Sequence, residues 1–161
     1  MKKRIPVIAL AAAVIALIIG AVIYMNLNSD DSSPGISYTP DQPHPWSEKL
    51  PDRGNAGEIR IPGFGRVYFP SDSDKVQMTL ANPVENQCTF IYTINLNEPD
   101  GERLYTSCEI APGTALTEIT LSRPLGAGEY TIYIHIMPYD IQSGSAMNSA
   151  LLKAPLTVTD E

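Results

Sequence analysis

The sequence predicts an all-β fold: an antiparallel β-sandwich preceded by one N-terminal transmembrane helix. Three observations carry this prediction. Residues 5–25 form an uncharged apolar run. After residue 58, short β-branched and aromatic runs recur with period-two alternation, broken by turn residues. Fourteen prolines and 11 glycines disfavour a mainly helical chain.

The apolar run follows Lys2, Lys3 and Arg4. As a helix it reaches about 31 Å, enough for a hydrocarbon core of about 30 Å. Positive charge before the run and none close after it makes residues 1–4 a cytoplasmic tail and sends the C-terminal part outside. Tyr24 falls near the outer end, where aromatic rings favour the interface. Pro6 sits in the first turn, where a missing N–H costs little. A cleaved signal peptide has a shorter core and small residues at its cleavage site. Here Ile23, Tyr24, Met25 and Leu27 are bulky, so the run reads as an uncleaved anchor. No cysteine precedes Cys88, which argues against a lipoprotein.

Residues 26–57 read as a Pro-rich flexible linker, with Pro34, Pro40, Pro43, Pro45 and Pro51 among Ser, Asp, Asn and Gly. Its few apolar residues have no period and build no core. Trp46, the one tryptophan, is expected to fold back onto the sandwich edge; a docking motif for a partner is the alternative.

Residues 58–161 are the expected β-sandwich ectodomain. Candidate strands are 58–61, 66–69, 75–81, 88–96, 104–110, 116–122, 129–137 and 150–159, separated by turns such as Pro62-Gly63, Asn82-Pro83 and Pro112-Gly113. Val76, Met78 and Leu80 share one face. Cys88, Phe90, Tyr92, Ile94 and Leu96 share another, as do Ile132, Ile134 and Ile136. A strand alternates its faces, so each set lines one side of a buried layer.

Gly126-Ala127-Gly128-Glu129-Tyr130-Thr131-Ile132, following Leu121, resembles the passage from strand E to strand F in immunoglobulin-like domains. Tyr130 would be the tyrosine of the tyrosine corner and Ile132 the inward residue two positions on. The pattern departs from antibody domains: Ile132 is not cysteine, and no tryptophan lies on the presumed C strand. More broadly the chain is similar to short, uncharacterised bacterial envelope proteins, mostly Gram-positive, with one anchor helix and one such sandwich. Asn82-Pro83, Leu104-Tyr105-Thr106-Ser107 and Ala111-Pro112-Gly113 carry that likeness. The resemblance implies a location, the cell membrane with the C-terminal domain extracellular, and no reaction.

Charge narrows the partners. The chain carries 11 basic and 18 acidic residues, and three of the basic ones lie at positions 2–4. The remainder therefore stands at −10, the wrong sign for nucleic acid or for an anionic lipid surface. Cys88 and Cys108 are the only cysteines, on consecutive predicted strands, and two readings stand: a disulfide, or two reduced thiols packed as small apolar residues. No metal-ligand spacing joins them to His44 or His135. Ser71-Asp72-Ser73-Asp74 reads as a solvated turn rather than a cation site. No nucleophile elbow occurs, and Gly63-Phe64-Gly65 and Gly126-Ala127-Gly128 lack the context of a nucleotide fold. No cofactor is implied.

What remains is recognition by surface loops. Residues 137–148 form the longest connection and contain Met137, Tyr139, Ile141 and Met147. They either meet a protein partner or close the end of the core. The expectation is a non-catalytic binding or assembly module of the cell envelope. A cell-wall glycan-binding module is the first rival, with Tyr105 and Tyr133 as its outward aromatics. An envelope hydrolase is the second. An exposed edge strand is a further docking device, with 58–61 as the candidate.

Overall fold

A computed structural model describes residues 40–47 and 58–160. The expected anchor at 5–25 and linker residues 26–39 and 48–57 lie outside the described residues. Within them, every regular element is a strand: β1 (His44–Pro45), β2 (Val67–Pro70), β3 (Lys75–Asn82), β4 (Cys88–Leu96), β5 (Arg103–Thr106), β6 (Thr114–Thr120), β7 (Gly128–Asp140) and β8 (Ala150–Thr159). Among these residues no helix is long and apolar enough to cross a membrane.

The strands form two sheets. One has three strands in the order β1-β6-β3, the other five in the order β2-β8-β7-β4-β5. Both send side chains into one hydrophobic core, as in a β-sandwich. The small sheet contributes Val76, Met78, Leu80, Leu116 and Ile119. The large sheet contributes Phe90, Tyr92, Ile94, Ile132, Ile134, Ile136 and Leu156. Each fully buried branched side chain is worth about 1.5–3 kcal/mol of transfer free energy. Phe90 and Tyr92 meet edge to face at 6.0 Å, and the Tyr92 hydroxyl donates to the Ala81 carbonyl at 2.7 Å. A buried phenol thus keeps its hydrogen bond while its ring joins the two sheets.

Three expectations are corrected. The sandwich is not wholly antiparallel: β2 pairs with β8 in parallel, Val67 opposite Leu156 through Pro70 opposite Thr159. Residues 58–61 form no strand. The Asn86 side chain takes the place of a neighbouring strand there: its Oδ1 accepts from the Arg60 N–H and its Nδ2 donates to the Arg60 carbonyl, both at 2.8 Å. The predicted strand 104–110 is cut to β5 plus a single bridge between Ile110 and Phe90. It breaks where the Ser107 hydroxyl accepts from the Tyr92 N–H and donates to the Cys108 carbonyl.

The Pro-rich stretch supplies a strand of its own. His44 lies opposite Ala115 and Pro45 opposite Thr114, and the Trp46 N–H donates to Gly113 at 2.9 Å. β1 is the outermost strand of its sheet, where a proline costs the ladder least. On the far side of the molecule the Tyr130 hydroxyl reaches back to the Gly126 carbonyl at 3.0 Å, and Ile132 is fully buried.

Candidate interaction face

β7 is the longest strand, with β8 on one side and β4 on the other. Its even-numbered residues Ile132, Ile134, Ile136 and Pro138 are buried, so the odd ones stand on the outer face of the five-stranded sheet. These are Tyr133, His135, Met137 and Tyr139, all half-buried. Across the ladder, Met137 lies opposite Ile91 and Tyr139 opposite Thr89. His135 sits between Thr93 and Leu151, and Tyr133 between Asn95 and Lys153. Leu151 is 48% exposed. Tyr139, Met137, Ile91 and Leu151 therefore make an apolar band running diagonally over three strands.

The band borders a shallow depression of about 200 Å³ lined by Ile91, Thr93, Asn95, Arg103, His135 and Met137. Two of its lining residues share one carbonyl as their acceptor. Pro99, in the β4–β5 hairpin, accepts from Asn95 Nδ2 at 2.6 Å and from His135 Nε2 at 2.7 Å. This places the His135 proton on Nε2. Asn95 is buried, and its Oδ1 has no hydrogen-bond partner among the described residues. That oxygen is enclosed beneath the depression, and a buried acceptor without a donor costs stability. Lys153 stands 5.8 Å over the Tyr133 ring, and Arg103 forms the opposite rim. The outer face is apolar in the middle and cationic at two edges, on an otherwise acidic domain.

The four residues expected to meet a partner divide. Met137 and Tyr139 are on this face. Ile141 (56% exposed) stands in the turn at the end of β7. Met147 (41% exposed) lies beside Glu58, Glu85, Cys88 and Asp140 instead. The connection is an ordered turn: Asp140 accepts from the Ser143 N–H and hydroxyl and from the Gln142 N–H. Those donors hold its carboxyl below the usual range. The Met147 N–H donates to Pro138 at 2.9 Å, and Ala146 bridges to Tyr139. Sequence reasoning passed over Ile91 and Leu151. Both have the parity opposite to their buried neighbours, and that parity was the available signal.

No family model, curated protein or solved structure matches this chain. The site therefore rests on its own geometry.

The structure decides between the two readings of the cysteine pair and corrects one further expectation. Cys88 and Cys108 are not joined: Cys88 is buried and Cys108 exposed, both as free thiols. Ser107 is hydrogen-bonded beside Tyr92, which puts its neighbour Cys108 about four positions from Cys88 along the strand. At the rise of an antiparallel strand that is about 13 Å, against the roughly 7 Å a disulfide tolerates. Burial raises the pKa of both thiols, so neither is an activated thiolate. Tyr105 is buried rather than outward, because it pairs across the ladder with Ile94, which faces the core. Of the aromatic pair considered for a glycan surface, only Tyr133 remains on the outer face.

Proposed function

We propose that this chain is a membrane-anchored, non-catalytic binding or assembly module of the cell envelope that engages a protein partner through the outer face of its five-stranded sheet. The observation that carries the reading is the diagonal band of Tyr139, Met137, Ile91 and Leu151, between Arg103 and Lys153. Apolar, aromatic and methionine side chains in one patch with a charged rim match the anatomy of a protein interface.

The architecture is read as immunoglobulin-like. The order β2-β8-β7-β4-β5 facing β6-β3 supports this, with the Tyr130–Gly126 hydrogen bond at the turn into β7. Residues 5–25 support a single-pass anchor with the N-terminus in the cytoplasm.

A photo-crosslinking residue placed at Met137 or Leu151 in intact cells tests the partner. One defined protein is expected at both positions, lost on Ile91→Asp and absent from a probe at Gly126. Crosslinks to wall sugar alone favour the glycan rival, and equal yields at Gly126 overturn the face. Placement is tested by protease added to intact cells. Digestion of residues 58–161 is expected; protection until lysis overturns the anchor reading.

A further inference from the structure

We infer that the outer face of the five-stranded sheet docks an acidic segment of a partner protein, with carboxylates flanking apolar side chains, an inference that rests on the outer-face reading and adds the partner's chemistry to it. The register sets two cations in one row across the sheet. Lys153 lies opposite Tyr133, Tyr133 opposite Asn95, and Asn95 opposite Arg103. At the usual spacing of neighbouring strands the Cα atoms of Lys153 and Arg103 stand about 14 Å apart. Both residues are exposed. Among the described residues neither is in an ion pair. Lys153 rests over the Tyr133 ring, which holds an ammonium without cancelling its charge.

The nearby acids are engaged or turned elsewhere. The other side chain charged at neutral pH at an outward position of β4, β5, β7 or β8 is Glu129, and Arg66 holds it at 2.8 Å. In the β4–β5 hairpin, Glu102 is held by Arg123 through two bonds of 2.6 and 2.7 Å. Among the described residues, Glu98 and Asp100 of the same hairpin form no ion pair with either cation. A domain that stands at −10 after residue 25 therefore presents uncompensated positive charge on this face. Each cation borders apolar surface. Lys153 is two residues from Leu151 on the same face of β8, and Arg103 lines the depression that Ile91 and Met137 also line. A partner that covers the band meets both cations at its margin, where acidic side chains are attracted and basic ones repelled. An anionic polymer or lipid headgroup would meet the two charges and leave the band against water, so the band selects a protein. A second copy docked face to face would bring the same two cations and repel. Ion pairs at an exposed rim add little affinity; they act on encounter rate, orientation and choice of partner.

The test uses the full chain in detergent micelles and two synthetic peptides with the same leucine–tyrosine centre, one flanked by glutamates and one by lysines. The glutamate peptide is expected to shift the resonances of Leu151, Met137 and Tyr133 and to bind about tenfold or more tighter than the lysine peptide. The gap should close at about 1 M salt, where the screening length is about 3 Å. Reversing both exposed cations, Arg103→Glu with Lys153→Glu, should invert the preference, which a variant that merely fails to fold does not do. Equal binding of the two peptides at this face, or a preference that survives the double reversal, overturns the acidic partner and leaves the outer-face reading standing. Leu151 and Met137 resonances that neither peptide moves overturn both. Inorganic polyphosphate bound as tightly as the glutamate peptide assigns the cations to an anionic polymer and overturns the protein. Shifts at Leu151 that follow protein concentration without peptide assign the face to a second copy and overturn the partner.

Discussion

The Asn86 side chain holds the backbone of Arg60 at both of its polar groups, and this one residue replaces a strand. Its Nδ2 also donates to Asn82 Oδ1 at 2.8 Å, and Asn82 Nδ2 in turn donates to the Cys88 and Ile110 carbonyls. The two asparagines thus close a buried polar junction where the small sheet, β4 and the coil at 58–61 converge.

Asn82→Leu should be the most costly single change tested. It leaves the Cys88 and Ile110 carbonyls without their side-chain donor in a site with no solvent exposure. A loss of about 3 kcal/mol is expected, read as a lower urea midpoint at unchanged slope. Asn86→Ala should cost about 2 kcal/mol and should free the amide of Arg60 to exchange.

Gly101→Ala should destabilise the β4–β5 hairpin. An added Cβ would run into the Leu96 carbonyl, a backbone atom that cannot rotate away. The cost is about 1–3 kcal/mol. Because Pro99 in the same hairpin anchors Asn95 and His135, the variant should also shift the resonances of both, and with them the lining of the outer-face depression.

Alkaline pH should unfold the domain. Burial raises the Tyr92 pKa, and burial together with the Asp41 carboxylate raises that of Tyr105. Unfolded phenols ionise near pH 10. The contribution of both groups is therefore complete below that pH and falls as pH rises above it. Tyr92→Phe should remove part of this slope while losing the bond to Ala81, at about 1–2 kcal/mol at pH 7.

The thiols should differ in reach, not in activation. With a slow alkylating reagent at pH 8, Cys108 should be modified in the folded protein and Cys88 only on unfolding, as counted by intact-mass spectrometry. Both rates should lie below that of a free cysteine, because the raised pKa lowers the thiolate fraction. Recovery of a Cys88–Cys108 disulfide from folded protein would contradict the observed register.

Alternation made most of the fold legible. β4 and β8 begin and end where the period-two runs do, and the inward sets on β3, β4 and β7 are the core. Pairing direction was not legible, because a side-chain period is the same in parallel and antiparallel ladders, so β2 against β8 was unforeseen. β1 had no period to read: two residues in a proline-rich stretch are held by β6 and by the contacts of Asp41 and Trp46. The candidate face was half legible. Met137 and Tyr139 stood out by residue type, whereas Ile91 and Leu151 needed the register that set them beside His135 and Met137.

The parallel pairing of β2 with β8 has a mechanical consequence. The chain enters β2 at Val67 and leaves β8 at Thr159, and the two strands lie side by side in the same direction. Tension drawing those ends apart slides one strand along the other, so the rungs share the load instead of unzipping singly. The Ser71 N–H on Thr159 O at 2.9 Å, and its hydroxyl on Asp160 at 2.6 Å, extend that shear-resistant clamp past the end of the ladder.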